Sequence, residues 1–410
     1  MNKKNILFLP WRDYNQMLRD GFRTREAQIL KQMIDSEAVD KVLCVNRPEQ
    51  PKYITKILPA FTNDNSKGLS SERRKHKKIY TTLYSELWQV SEKLYVLNLK
   101  YHIPNPKGNK LERLQIFNRL TSAQIQRALL TIEMNSYITW CVDLTRAKIA
   151  ENFKTSEFVF DAIDNLLEHD QNKKDSSYLK EMYRIVNKEA DVVFTVSTDL
   201  RESLFHSHPY AYYVPNGIDL RKYKEETFER PADLPKGNPI IGYVGLLQER
   251  IDIELLRHIA LENSNMNFVF VGPILSLKYF EDIRRLPNVY FLGAKHHDEI
   301  PKYLKYFDIC IIPHKVNKFT KSMNPLKLYE YLAAKKEVIT TPVPPSEDFS
   351  DSLHVAREKE EFSMVLQKVN QKPFQKFSEA HLSDIIKQHD WKDKFSKMIN
   401  IINEKRERND

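Results

Sequence analysis

At 410 residues the chain is too long for one ordinary hydrophobic core and predicts two or three domains. Apolar residues make up 41% and aromatic residues 11%, which excludes a disordered chain. The net charge of +9 selects an acidic partner (nucleic acid, anionic lipid or a phosphorylated substrate) or serves only solubility.

The N-terminus, MNKKNILFLP, is basic and then apolar over too few residues for a signal peptide. No stretch approaches the roughly 20 apolar residues of a membrane-spanning helix, so a cytoplasmic protein is expected. Strands are predicted at 6–9, 42–45, 94–97, 138–142, 158–160 and 192–196. They are short, β-branched or aromatic, and apolar on both faces, as parallel strands buried under helices are. Helices are predicted between them, at 25–35, 110–133 and 177–189. Cys44, Cys141 and Cys310 stand singly in apolar runs, with no CxxC or Cys/His cluster. That argues against zinc and for small core residues in a reducing compartment. The densest basic run is 66–80, SKGLSSERRKHKKIY, with Tyr84 and Trp88 beyond it. It predicts either a solvated loop or a patch for an anionic membrane surface or a lipid-diphosphate acceptor, placing the protein at the inner face of a membrane. No nucleic-acid-binding module accompanies it, so nucleic acid is not expected as a partner.

Residues 214–239, charged and rich in Pro and Asn-Gly, read as a linker, with a boundary near 220. The scheme then repeats. Strands are predicted at 240–244, 268–271, 289–292, 309–312 and 337–340, with helices at 254–261, 279–285, 299–306 and 325–334. Gly245, Gly272 and Gly293 mark three strand ends. In open parallel sheets the ligand crevice lies beyond the carboxyl ends of the strands, where glycine lets backbone approach a ligand. The expected division is 1–220, 221–385, and a C-terminal helix with a charged tail over 386–410.

No GxGxxG, GxxxxGK[ST], Asp-x-Asp or GxSxG is present. The stretch SMNPLKLYEYLAA (322–334) is more telling. Asn324 suits an N-cap and Pro325 the first helical position. A helix start there would present unpaired N–H groups and partial positive charge to a phosphate, with Lys327 as a cation nearby. Glu330, among Leu326, Tyr329 and Ala333, suits the vicinal hydroxyls of a ribose. The alternative is a Lys327–Glu330 pair on a solvated face.

Several segments carry a family resemblance in their order and spacing: GYVG, FVFVGP, NVYFLGAKHHDEIPKYLKYFDICIIP and SMNPLKLYEYLAAKKEVITTPVP, preceded by VPNGID (214–219), ADVVFTVS (190–197) and FVFDAIDNL (158–166). Together they resemble GT-B glycosyltransferases, glycosyltransferase family 4 in particular. The resemblance is good over about 155–345 and loose before it. It implies an α/β, GT-B fold: two Rossmann-like parallel-sheet domains facing a cleft, with a C-terminal helix. It also implies a retaining, metal-independent enzyme without a cofactor. Such an enzyme moves a sugar from a nucleoside diphosphate, UDP by expectation, to a carbohydrate or lipid-linked acceptor in cell-surface polysaccharide assembly. A sugar-nucleotide epimerase and a non-catalytic binding protein are the alternatives.

By the same resemblance Glu330 binds the ribose. The family's other glutamate falls on Ser322, a departure that removes an acidic partner of the donor sugar. Backbone from Met323 through Asn324 and Pro325 to Leu326 then faces the donor. Arg250 and Lys327 take the diphosphate in place of the family's Arg and Lys after Gly245, where this chain reads GLLQERID. Gly245 and Gly272 line the donor site, and Leu292 and Gly293 its base. His296 and His297 are expected on the loop surface. On the acceptor side the expected residues are Gly21, Arg23, Arg25 and His169. Asp164, with Asp161 beside it, would orient the acceptor hydroxyl or take its proton. Helix capping by either aspartate is the alternative, and Arg250 has a loop-surface alternative.

Overall fold

The computed structural model describes residues 3–48, 76–101, 111–224, 227–371 and 379–407. Two compact units emerge: one of residues 1–195, 200–213 and 398–410, the other of 196–199 and 214–397. The helix Trp391–Glu407 begins in the second and ends in the first.

The first unit contains β1 (Lys4–Leu9), β2 (Val39–Val45), β3 (Lys77–Thr81), β4 (Ser85–Gln89), β5 (Leu94–Leu99), β6 (Ile138–Cys141), β7 (Phe158–Ala162), β8 (Val192–Thr195) and β9 (Ala211–Tyr213). They form one sheet in the order β3-β4-β5-β2-β1-β6-β7-β8-β9. Pairing is parallel except where β4 meets β3 and β5. That antiparallel hairpin was not expected from the sequence. Lys77 and Lys78 interrupt the apolar alternation because β3 is an edge strand, where charge discourages further pairing. Only 76–80 of the basic run lie among the described residues.

The second unit contains β10 (Ile240–Val244), β11 (Asn267–Val271), β12 (Val289–Gly293), β13 (Ile309–Ile312), β14 (Glu337–Thr340) and β15 (His354–Val355). All pair in parallel, in the order β12-β11-β10-β13-β14-β15. The strand order reverses between β10 and β13, so the loops leaving these strands flank the crevice where such sheets bind ligands. Apolar clusters cover both faces, one around Phe307, Tyr329 and Tyr331, the other around Tyr243, Phe268 and Phe270. Gly242 is needed at the centre of β10, since a Cβ there would lie 1.9 Å from the Phe307 ring.

Residues 279–285 depart from expectation, forming two single turns of 3-10 helix, Lys278–Phe280 and Ile283–Arg285. Leu286 precedes Pro287 and is forced to an extended conformation, leaving too few residues for an α-helix. All three cysteines are buried and unbridged. Among the described residues no helix is long and apolar enough to cross a membrane.

Candidate functional site

In the second unit, β10 ends at Val244 and the chain turns at Gly245, with φ +134°. The same happens after β11 at Gly272, with φ +150°. A Cβ on Gly272 would stand 2.0 Å from the Gly245 carbonyl oxygen, so the two turns stack backbone on backbone and tolerate only glycine. Above Gly245 lies Lys327. A Cβ on Gly245 would come within 3.1 Å of Lys327 Cε and 3.2 Å of its Nζ.

Lys327 emerges from the helix Leu326–Ala333 but is buried, as is Glu330. That removes the solvated-face alternative. Lys327 Nζ donates to Tyr243 Oη at 2.7 Å and sits 4.2 Å above the Tyr243 ring. It also lies 3.4 Å from His314 Nε2. Tyr243 passes the contact on, its hydroxyl donating to the Leu246 carbonyl at 3.2 Å. His314 follows β13 and is 1% exposed. Arg250, in the loop after β10, interacts with the Tyr243 hydroxyl. The Arg250 Nε and His314 Nδ1 atoms are buried without a hydrogen-bond partner among the described residues. Burial, then the Arg250 charge, pulls Lys327 well below the ordinary lysine value, with Glu330 opposing. Burial, then Lys327 and Arg250, holds His314 well below the usual imidazole range. Among the described residues no carboxylate forms an ion pair with Lys327 or Arg250. The cluster is therefore basic, largely buried and rich in donors, which suits a multiply charged anion.

Glu330 lies one turn further along the helix. His297 Nε2 is 3.6 Å from its Oε1. His297 is buried, a correction to its expected place on the loop surface; His296 is exposed and caps the turn His297–Glu299. Tyr223 also borders Glu330: burial raises its phenol well above the usual value and the Glu330 charge adds to this. Its Oη is buried with no partner among the described residues. His297 and Tyr223 were missed because they sit in single 3-10 turns, Leu220–Tyr223 and His297–Glu299, too short to show periodicity in the sequence. Gly293, at the end of β12, has φ +73° and nothing within 4 Å of where a Cβ would stand. Leu292 beside it is half-buried.

The helix start differs from expectation by one residue. Pro325 occupies the N-cap, with φ −67° and ψ 118°, and Leu326 is the first helical residue. Asn324 therefore caps nothing. Its Oδ1 accepts from Asn216 N–H at 3.2 Å and its carbonyl from Asn216 Nδ2 at 2.6 Å. Those contacts pin the VPNGID segment beside the helix. Ser322 is fully buried; its hydroxyl donates to the Phe319 carbonyl at 2.7 Å, and its own carbonyl accepts from Ser197 Oγ at 2.8 Å. The Met323 N–H donates to Thr320. Ser322 thus fixes local backbone.

In the first unit Arg25 and Asp161 form a buried ion pair at 2.9 Å, the guanidinium Nε adding contacts of 3.0 and 3.1 Å. Asp161 is 0% exposed. Glu26 is buried beside them, and burial raises its carboxyl above the usual value, with Asp161 pushing the same way. Asp164 is half-buried; its carbonyl accepts from the Tyr183 hydroxyl at 3.2 Å. Neither aspartate caps a helix. The following turn, Asp170–Asp175, is capped by His169, whose Nδ1 accepts from Gln171 N–H at 3.3 Å. Gly21 and Phe22 both have positive φ, 69° and 55°, turning the loop so that Asp20 accepts from Arg12 at 2.6 Å and Arg23 at 3.4 Å. Two cations share one carboxylate there. A second buried network was not anticipated: Arg146 with Glu112 at 3.0 Å, and Arg47 with Asp143, at the ends of β2 and β6.

The fold has counterparts among known proteins. Among solved structures, sucrose-phosphate synthase from Thermosynechococcus elongatus matches with a TM-score of 0.66 at 13% identity, over 98% of this chain and 99% of that one. HepE of Anabaena, solved in complex with UDP and glucose, matches with a TM-score of 0.64 at 14% identity, over 98% and 99%. The fold is GT-B. Within this GT-B chain, residues 238–369 match the model of the family described as glycosyl transferases group 1. A putative teichuronic acid biosynthesis glycosyltransferase, TuaH of Bacillus subtilis (strain 168), is 30% identical over 135 residues. That match covers 32% of this chain and 34% of the relative. The GT-B unit matched by the family model holds Gly245, Gly272, Arg250, His314, Lys327 and Glu330. Among the described residues no group of three or more His, Cys, Asp or Glu side chains is arranged to hold a metal ion.

Proposed function

We propose that this protein is a retaining glycosyltransferase that moves a sugar from UDP to a carbohydrate or lipid-linked acceptor during assembly of a cell-surface polysaccharide. The observation behind this reading is the pairing of a basic cluster (buried Lys327 and His314 with half-buried Arg250, beside the Gly245 and Gly272 turns) with a buried carboxylate, Glu330, one helical turn away. A nucleoside diphosphate fits both parts: phosphates on the bases, ribose hydroxyls on the carboxylate.

In this reading Glu330 accepts hydrogen bonds from the ribose, and Leu292 and Gly293 meet the base. Lys327, Arg250 and the first-turn N–H groups of the helix hold the diphosphate. As the bond from sugar to phosphate breaks, negative charge grows on the leaving diphosphate, and cations fixed there favour that state over the ground state. The acceptor hydroxyl loses its proton as its oxygen bonds the sugar, and Asp164 orients that hydroxyl or receives its proton. Gly21, Arg23 and His169 are assigned to acceptor binding. Arg25 and Asp161 are assigned to each other. A peripheral membrane position is part of the proposal, through Lys77, Lys78 and the exposed Leu83 and Tyr84.

Ser322 gives a binding protein without catalysis some support, since a buried serine replaces a carboxylate beside the donor sugar. A screen of nucleoside-diphosphate sugars, reading thermal shift and donor hydrolysis together, separates the two. Stabilisation with turnover supports the enzyme, stabilisation alone supports the binding protein, and neither response to any donor overturns the site.

A further inference from the structure

Lys327 is buried, and among the described residues no carboxylate forms an ion pair with it. Its Nζ has a phenol oxygen at 2.7 Å and an imidazole nitrogen at 3.4 Å as neighbours. The groups that face it come from every adjoining element: Tyr243 from β10, Arg250 from the loop after it, His314 from the end of β13, and Glu330 from its own helix. Glu330 is turned to His297 at 3.6 Å. The Arg250 charge beside Lys327 and the lack of an ion-paired carboxylate make a second charge costly in a buried site.

We propose that this seat takes up a proton together with its ligand, Lys327 being a neutral amine until a diphosphate enters and an ammonium once it is bound, with Tyr243 and His314 as the positioning residues that hold its nitrogen. This rests on the reading of the cluster as the donor-diphosphate seat. The proton comes from solvent and adds to the amine lone pair; no bond of the ligand breaks. The lowered proton affinity of Lys327 in the empty protein, caused first by burial and then by Arg250, agrees with the geometry. A bound diphosphate reverses the second cause, because its negative charges offset Arg250 and favour the ammonium. The ammonium then donates to phosphate oxygens while Tyr243 Oη and His314 Nε2 remain acceptors for its other protons. His314 supplies an acceptor only as neutral imidazole, the form that burial and its basic neighbours maintain. Leaving-group charge would be met by a cation created on binding, and release of the nucleotide would return the proton.

The test is calorimetry of UDP binding to the full chain at about pH 8, well above the second phosphate ionisation at ~6, in buffers of different ionisation enthalpy. The slope of heat against that enthalpy counts protons. Wild-type protein is expected to take up about one proton per UDP. Lys327→Met should reduce the uptake to near zero and weaken binding by about tenfold or more. Glu330→Gln should weaken binding while keeping the uptake. His314→Phe should move the pH profile of UDP affinity to lower pH, and His314→Gln, which restores an acceptor, should bring it back. UDP binding with no net proton uptake by wild type overturns the inference and leaves the donor reading standing. An unmoved pH profile in His314→Phe overturns the positioning role. If wild type fails to bind UDP at all, the donor reading and this inference fall together.

Discussion

Arg25 and Asp161 provide a sharp test of which charges belong to architecture and which to chemistry. Both side chains are almost fully buried and meet at 2.9, 3.0 and 3.1 Å. Removing one partner of such a pair leaves the other charge stranded and costs about 3–5 kcal/mol. The cost should be high in that range for Arg25→Met, because Glu26 is buried against Asp161 and its carboxyl is already pushed up. Set against a total stability of about 5–15 kcal/mol, that loss lowers the Tm by roughly 6–20 °C for a unit of this size. The double variant Arg25→Met/Asp161→Leu removes both charges and should recover most of the loss, since apolar replacement of a buried pair is often neutral. Urea unfolding of wild type, both single variants and the double variant gives the coupling directly. Asp164→Asn, at a half-buried position, should unfold like wild type and lose transfer instead. If Asp161→Asn unfolds within about 0.5 kcal/mol of wild type and loses turnover, the pair is not architectural and Asp161 acts in the chemistry.

Three further outcomes follow from the same geometry. Glu330→Ala should fold normally by circular dichroism and bind UDP about 10–150-fold more weakly, the range for losing a charged hydrogen bond; unchanged affinity would remove the ribose role. Gly272→Ala introduces a Cβ 2.0 Å from the Gly245 carbonyl oxygen at φ +150°, so backbone strain and displacement should together cost about 2–6 kcal/mol by urea titration. Lys327 sets a pH dependence whose sign is fixed: its folded value is lowered, so the folded state holds fewer protons than the unfolded one and stability rises with pH. The ligand-free protein should therefore gain stability from its lowered value up to the ordinary lysine value of ~10.4, and Lys327→Met should lack that gain; equal slopes would refute the assignment.

Much of the fold was legible because parallel strands buried on both faces read as uninterrupted apolar runs. The runs at Ile240–Val244 and Ile309–Ile312 coincide with β10 and β13, and their neighbours fall within a residue or two. What the sequence hid is local. The hairpin β3–β4 is masked by edge lysines, β15 is only two residues long, and the turns at 278–285 obey Pro287 rather than the helical spacing before it.

The candidate site was legible where it lies on a periodic element and opaque where it lies on loops. Glu330 and Lys327 stand out because a charge on the apolar side of a short helix breaks a pattern, and burial of both shows that the break is structural fact. His314, Tyr223 and His297 break no pattern. A histidine after a strand, a tyrosine in a turn and a histidine in a charged loop look alike whether or not they converge, and the pairing of β10 with β13 is what brings Tyr243 to the His314 and Lys327 that follow β13. The same limit explains Asp161. Its position after a strand suggests chemistry, but its partner Arg25 lies 136 residues away. The packing of one helix against one strand end decides that its charge is neutralised. Charge on a regular element can thus be weighed from sequence spacing alone, whereas charge at a strand end takes its meaning from whichever residue the topology sets opposite it.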